Sequence, residues 1–322
     1  MAAAVLRRWL MSGVCLLALA ACTGSRHGAN VNLAVVDWPP YEYFYLANRK
    51  QYDRQLRFKL GIKKFGSLRD QRQSYIRGET DAIAATLPDL IAICRESPSR
   101  CPVIVLVLDE SHGADQLIAS SRLAGLAGLR GRRIGLERSD LSQFILERAL
   151  SEAKVAQSDV QLQFGVPSEL VAQLQSGDLD ALITYVPFSE PLLRDPRFNV
   201  LFSSQALPFQ IVDVLAVEPE LMEERPDVVR AMVASWWQAR QFAQREPDAA
   251  LALMASRQGI TPDQLRESLR MIRLPRQNQQ ADLLSPAGPV EATLKRLRRQ
   301  LITAGRLQQD ALLPRLQLPA ER

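Results

Sequence analysis

The chain has 322 residues, 47% of them hydrophobic and 23% charged, with a formal charge of +5. That is enough for about two domains with sizeable cores, and it excludes an intrinsically disordered chain and the strongly basic footprint of a nucleic-acid binder. Two histidines and four cysteines, without Cys-x-x-Cys or His-x-x-x-His spacing, leave little material for a metal site, so neither a metal nor a cofactor is expected.

The first residues read as an address. Arg7 and Arg8 precede an apolar run from Trp9 to Ala18, followed by Leu19-Ala20-Ala21-Cys22. The run is too short for a membrane span, and small residues ahead of a cysteine look like a bacterial lipobox. Residues 1–21 are therefore expected to leave as a signal peptide, with Cys22 acylated as the new N-terminus and 22–30 serving as a polar tether. Loss of the two arginines takes the charge from +5 to +3. Acyl chains contribute ~0.8 kcal/mol per buried CH₂, enough in combination to hold the protein at a membrane surface of the cell envelope, facing the periplasm or exterior.

Leu33 to Val36 reads as a buried strand that Pro39-Pro40 ends, since proline cannot donate to a ladder. Asp37, Trp38, Tyr41, Glu42, Tyr43, Phe44 and Tyr45 follow, and the aromatics read either as core or as the wall of a pocket. Leu46 to Leu60 is helix-like and Ile62 to Phe65 a short strand. Ser67-Leu-Arg-Asp70 is a capping box opening a helix that ends at Gly78. Asp81 to Ala85 is the next strand, running into Thr86. Cys94 and Cys101 flank a turn-rich loop and, in an exported protein whose other cysteines are removed or lipidated, are expected to form a disulfide. Val103 to Leu108 is a strand leading through Asp109, Ser111, His112 and Asp115 to Leu117–Ala119.

The same order then recurs: strand Arg132–Leu136, polar loop with Ser139 and Asp140, helix Leu141–Leu150, strand Val160–Phe164, helix Ser168–Gln175, strand Asp180–Thr184 and Tyr185. Gly78-Glu-Thr-Asp81-Ala-Ile83 and Gly177-Asp-Leu-Asp180-Ala-Leu182 mark corresponding points. The pattern is that of two doubly wound α/β units, each with a parallel sheet. Val103–Ala119 and Pro208–Val217, which contains Asp213, are the candidate crossovers. The remainder is helical: Val229, Met232, Val233 and Trp236 share one face, Thr261-Pro-Asp-Gln264 is a further helix start, and Val290, Leu294, Leu297 and Leu301 form a last stripe. Lys295, Arg296, Arg298 and Arg299 outside that stripe read as a solvated face.

Loops at the carboxyl ends of the strands would gather Asp37, Trp38, Tyr41, Thr86, Asp109, Ser111, Ser139, Asp140, Thr184, Tyr185 and Asp213. Ser139 and Asp140 are either plain helix caps or part of an anion site made by free amides at a helix start. Asp37, Asp109 and Asp213 would face an amine or ring NH, with Trp38 and Tyr41 stacked on apolar or cationic parts. No Gly-x-Ser-x-Gly elbow or phosphate-binding glycine loop is present, and His112 is the one histidine placed to act as a base, so binding is favoured over catalysis.

Trp38-Pro-Pro-Tyr41-Glu with Leu46-Ala47, Gly78-Glu-Thr-Asp81, Leu108-Asp109-x-Ser111-x-Gly113-Ala-Asp115, Leu129-Arg-Gly-Arg-Arg-Ile-Gly135, Gly177-x-x-Asp180-Ala and Ile211-Val-Asp213-Val stand in an order that, with the lipobox, resembles the solute-binding lipoproteins of ABC importers. The resemblance is to the nitrate/sulfonate/taurine-type branch that includes thiamine-pyrimidine binders, and it runs over residues 31 to 260. It implies a periplasmic-binding-protein type II fold, two doubly wound lobes joined by two crossover strands, with lobe 1 at 31–115 and 214–322 and lobe 2 at 116–213. It also implies capture of a small solute by a monomer and delivery to an inner-membrane permease. Trp38, Tyr41, Thr86, Ser111, Ser139, Tyr185 and Asp213 match the family's cleft; Pro40 departs from the glycine common there and stiffens the first loop. A sensor or adaptor module, and an enzyme of the thiamine-pyrimidine synthase type, are the alternatives; the cysteine-rich motif of the latter is absent here.

Overall fold

The computed structural model describes residues 29–319. The expected signal peptide, Cys22 and most of the tether lie outside the described residues. Among those described, no helix is long and apolar enough to cross a membrane.

Ten strands make the body of two sheets: β1 (Ala29–Val35), β2 (Phe58–Lys64), β3 (Ala82–Thr86), β4 (Val103–Ser111), β5 (Asp115–Ser120), β6 (Arg133–Leu136), β7 (Gln161–Phe164), β8 (Ala181–Tyr185), β9 (Phe198–Ser203) and β10 (Val212–Val217). The first sheet runs β4-β10-β3-β1-β2, with two short strands, Ile272–Arg273 and Arg315–Leu316, added on β4. The second runs β7-β6-β8-β5-β9. In each, three parallel strands are joined by an antiparallel strand that has crossed from the other half of the chain: β10 against β3, and β5 against β8. Strands β3, β4 and β10 are apolar along nearly their whole length and buried, as strands covered on both faces must be.

The repeated Gly-x-x-Asp-Ala element has one job in both sheets. Gly78 (φ +73°) and Gly177 (φ +86°) end the preceding helices in the left-handed conformation that glycine adopts without strain. The aspartate three residues on then joins the third strand to the first. Asp81 Oδ2 accepts from the Asn32 amide at 2.7 Å, and Asp180 Oδ2 accepts from the Arg133 amide at 2.9 Å. The amides of the two aspartates donate back to Asn32 and Arg133 carbonyls, both at 2.9 Å.

The aromatic stretch departs from the expected loop. Pro39-Pro40 sets the first turn of a helix, because the fixed proline φ suits a helix start. Helix Glu42–Arg49 follows, then Tyr52–Gln55 and β2, so the single helical patch expected over Leu46–Leu60 is two helices and half a strand. Gln51, at φ +59°, makes the break. Helical spacing divides the aromatics. Tyr43 and Phe44 pack on the fully buried Trp236 of helix Pro226–Arg245, with ring centroids 5.7 and 6.3 Å apart, while Tyr45 lies under the Arg257 guanidinium. Trp38 and Tyr41 are left to the crossover, where they bond to Asp109 and Asp213.

Ser67 caps helix Leu68–Ile76 through the Asp70 amide at 3.1 Å, but Asp70 accepts from the Ser67 hydroxyl instead of returning to its amide. Thr261 and Gln264 form the full reciprocal box. Helix Leu87–Glu96 and strand β9 had no counterpart in the expected order. Cys94 and Cys101 are bonded, with sulfurs 2.00 Å apart. Helix Pro289–Thr303 buries Val290, Leu294, Leu297 and Leu301, and just beyond it Arg306 reaches the second lobe.

Candidate functional site

Register brings the site together. On the first sheet Asp213 of β10 stands abreast of Thr86 on β3 and Asp109 on β4; on the second, Asp115 of β5 is paired with Tyr185 of β8. These are the ends of the strands where the chain crosses between sheets, the place where open α/β folds hold ligands. A cavity of about 10 Å³, room for roughly one water, lies between them. Val36, Trp38, Tyr41, Leu68, Thr86 and Asp213 come from the first lobe, and Asp115, Leu141 and Tyr185 from the second.

Hydrogen bonds fix the polar wall. The Trp38 indole donates to Asp109, at 3.1 Å to Oδ2 and 3.3 Å to Oδ1, and the Tyr41 hydroxyl donates to Asp213. The Trp38 ring meets Tyr185 edge-on at 6.1 Å. Burial raises Asp213 to about 8, against the Tyr41 hydrogen bond that favours its charge. Burial first, then the neighbouring Asp213, hold Asp109 well above the carboxylate range, so the pair keeps a proton at neutral pH. Burial also pushes Asp115 up to about 7. Tyr41 and Tyr185, raised by burial and by nearby carboxylates, remain hydroxyl donors.

The other expected residues have separate places. Asp37 turns away and pairs with Lys64 at 2.9 Å, because successive residues of an extended segment point to opposite sides. Ser111 is buried in the crossover, 2.8 Å from the Ser204 hydroxyl and accepting from the Asp115 amide. Ser139 is an N-cap, accepting from the Ser142 amide at 3.0 Å. Thr184 is buried and its side chain does not line the cavity, since it alternates with Tyr185 along β8.

The expected anion site is filled from within. The Asp140 amide, at the start of helix Asp140–Ala153, donates to Asp89 Oδ1 of the opposite lobe at 3.2 Å. In the mirror-image arrangement the Leu68 amide, at the start of its helix, donates to Glu137 Oε1 at 3.1 Å. Burial raises Asp89 to about 6 despite Arg72 beside it, and Glu137 to about 8 despite the Leu68 amide. Asp140 itself joins three arginines of the first lobe: Arg72 at 3.0 Å, Arg95 at 3.3 Å and Arg306 at 2.6 Å. Asp89, Glu137 and Arg72 were not among the expected residues, and Asp115 appeared there only within a motif. Its signal was present: each crossover strand carries an aspartate at its cleft end.

Residues 25–257 match the NMT1-like family, well over half of the chain. The chain belongs to that family. A curated protein of Escherichia coli K12, whose name assigns it aliphatic sulfonate binding, is 23% identical over 172 residues, covering 53% of this NMT1-like chain and 50% of the relative. The chain thus spans about half the length of the curated relatives it matches. The alkanesulfonate-binding protein of Xanthomonas axonopodis pv. citri, solved with MOPS, superposes with a TM-score of 0.75 at 16% identity, over 89% of this chain and 97% of that one. The desulfurization enzyme DSZB superposes at 0.63 and 16% identity, over 88% and 95%. These likenesses establish the fold, the two-lobed periplasmic-binding-protein type II arrangement of the NMT1-like chain.

Proposed function

We propose that this protein is the solute-binding component of an ABC importer. It captures a small polar solute by closure of its two lobes and hands it to an inner-membrane permease, while lipid on Cys22 holds it, as a monomer, at the envelope. Residues 31–115 and 214–322 act as one body and 116–213 as the other, except that at the two crossovers Asp213 belongs with the first sheet and Asp115 with the second. Sulfonates, aminosulfonates, amides and pyrimidines are the solute types the sequence brings forward, and sulfonate binding is the property named for two of the relatives.

The observation that carries the reading is a cavity walled by both lobes at their crossover, closed by bonds that run only between lobes. A solute held there touches both halves at once, so its binding energy favours the closed form. Catalysis has less support. The Thr86 hydroxyl, which lines the cavity, donates to Asp89 at 2.9 Å, and Asp89 is engaged with the Asp140 amide and Arg72. His112 lies 3.0 Å from Arg273 and away from the cavity lining.

A thermal-shift screen of the exported protein against small solutes tests the reading. A solute at 100 times its dissociation constant stabilises by about 2.7 kcal/mol. Trp38→Phe, which keeps the ring and loses the indole donor to Asp109, is expected to weaken the response at least tenfold; an unchanged response would remove the cavity from the function.

A further inference from the structure

The charge of the solute follows from what the cavity offers, and the inference rests on the solute-binding reading above. Asp115 is 2% exposed, lines the cavity, and its Oδ2 has no hydrogen-bond donor. An oxygen buried in that way is costly unless something supplies a donor. Asp213 lines the same space from the other lobe, with Asp109 behind it. Among the described residues, none of those lining the cavity is Lys, Arg or His. Arg72, buried where the lobes meet, is engaged by Asp89, Asp140 and Glu96.

The amides that could receive an anion are taken as well. Asp89 and Glu137 occupy the two helix starts flanking the cleft, so a sulfonate arriving there would have to displace a carboxylate of the chain itself. The remaining wall is aromatic: Trp38, Tyr41 and Tyr185.

We infer that the cleft, widened beyond its one-water cavity as the lobes part, selects a protonated amine, its N–H groups donating to Asp115 Oδ2 and to Asp213, and its carbon skeleton lying against the Trp38 and Tyr185 rings. Aromatic faces attract such a cation, and most strongly where water is excluded. Burial holds Asp115 at about 7 and Asp213 at about 8, so near neutral pH the arriving cation displaces a proton that a carboxyl carried. The exchange of one positive charge for another leaves the buried charge unchanged, avoiding the cost of an uncompensated ion. An anion would instead add a buried charge that no cation of the cavity lining balances. Selection on charge would distinguish this chain from relatives named for sulfonates.

The test uses the full chain, exported and purified in mild detergent. Alkylammonium, diammonium, guanidinium and quaternary ammonium compounds are titrated calorimetrically at pH 7 beside alkanesulfonates of matched length. The expected result is that members of the cationic series bind at least tenfold tighter than their sulfonate partners, with proton release that scales the heat with buffer ionisation enthalpy. Asp115→Asn, which replaces the unpartnered oxygen at nearly constant shape, should lower amine affinity at least tenfold without lowering the melting temperature. Tighter binding of the sulfonates would overturn the charge assignment while leaving solute capture standing. No binding by either series, in a chain that melts normally, would overturn both. Amine binding unchanged by Asp115→Asn would overturn the site.

Discussion

Asp140→Ala isolates the bonds that hold the lobes together. The Asp140 side chain is 7% exposed and meets Arg72, Arg95 and Arg306, all from the first lobe, at 3.0, 3.3 and 2.6 Å. Removing one member of a buried ion pair costs about 3–5 kcal/mol when its partner is stranded. Here the partners are not stranded. Arg72 keeps Glu96 at 3.3 Å and Asp89 at 3.6 Å, Arg95 keeps Glu96 at 3.3 Å, and Arg306 keeps Glu147 at 3.0 Å. Asp89 is also relieved of a like charge. The loss is therefore smaller, about 2 kcal/mol. Because the bonds cross between lobes, the loss falls on the closed form, and the ratio of closed to open falls roughly thirtyfold at 1.4 kcal/mol per factor of ten. Small-angle scattering reads this as a larger radius of gyration, and solute titration as weaker affinity. Unchanged scattering and affinity together with a lowered melting temperature would refute the reasoning and make the cluster a support of local stability alone.

The remaining predictions concern pH and the repeated aspartates. Glu42 at about 7, Asp89 at about 6, Asp115 at about 7, and Glu137 and Asp213 at about 8 are all raised above their ordinary values near 4, chiefly by burial. The folded chain therefore keeps protons that the unfolded chain has lost, so this contribution is greatest below about pH 4 and falls as pH rises to about 8. The melting temperature is expected to fall as the pH is raised from 5 to 8, and a rise over that range would contradict it. Asp81→Ala and Asp180→Ala each strip the partner from a strand amide and are expected to cost about 1–3 kcal/mol in urea titrations. Lying in different sheets, they should add within about 0.5 kcal/mol in the double variant, and stronger coupling would mean that the two sites interact energetically.

What could be read from the chain follows the range of the interactions. The element order and the two-fold repeat are local patterns, and Gly78–Asp81 and Gly177–Asp180 do the same work in both sheets because glycine's left-handed freedom and an aspartate's reach act within a few residues. Trp38 and Tyr41 could be placed near the cleft by the same means. Asp37 is where alternation was the missing step: Val36 and Trp38 line the cavity, so the residue between them had to face Lys64. The proline pair was legible as a strand end, but its second meaning, a helix start that sends Tyr43 and Phe44 to Trp236, depends on a helix some 190 residues away. The filling of the helix starts by Asp89 and Glu137 belongs to neither lobe alone. It arises only when the two lobes face each other, which no local spacing encodes.

Amide hydrogen exchange at four positions tests the central claim most directly. The Leu68 and Asp140 amides are bonded across the cleft, to Glu137 and Asp89, whereas the Asn32 and Arg133 amides are bonded within one lobe, to Asp81 and Asp180. If the protein captures solute by closure, a saturating concentration of the tightest-binding solute slows exchange at Leu68 and Asp140 at least tenfold and leaves Asn32 and Arg133 nearly unchanged. Equal slowing at all four, or none at Leu68 and Asp140 while the solute is bound, would contradict it.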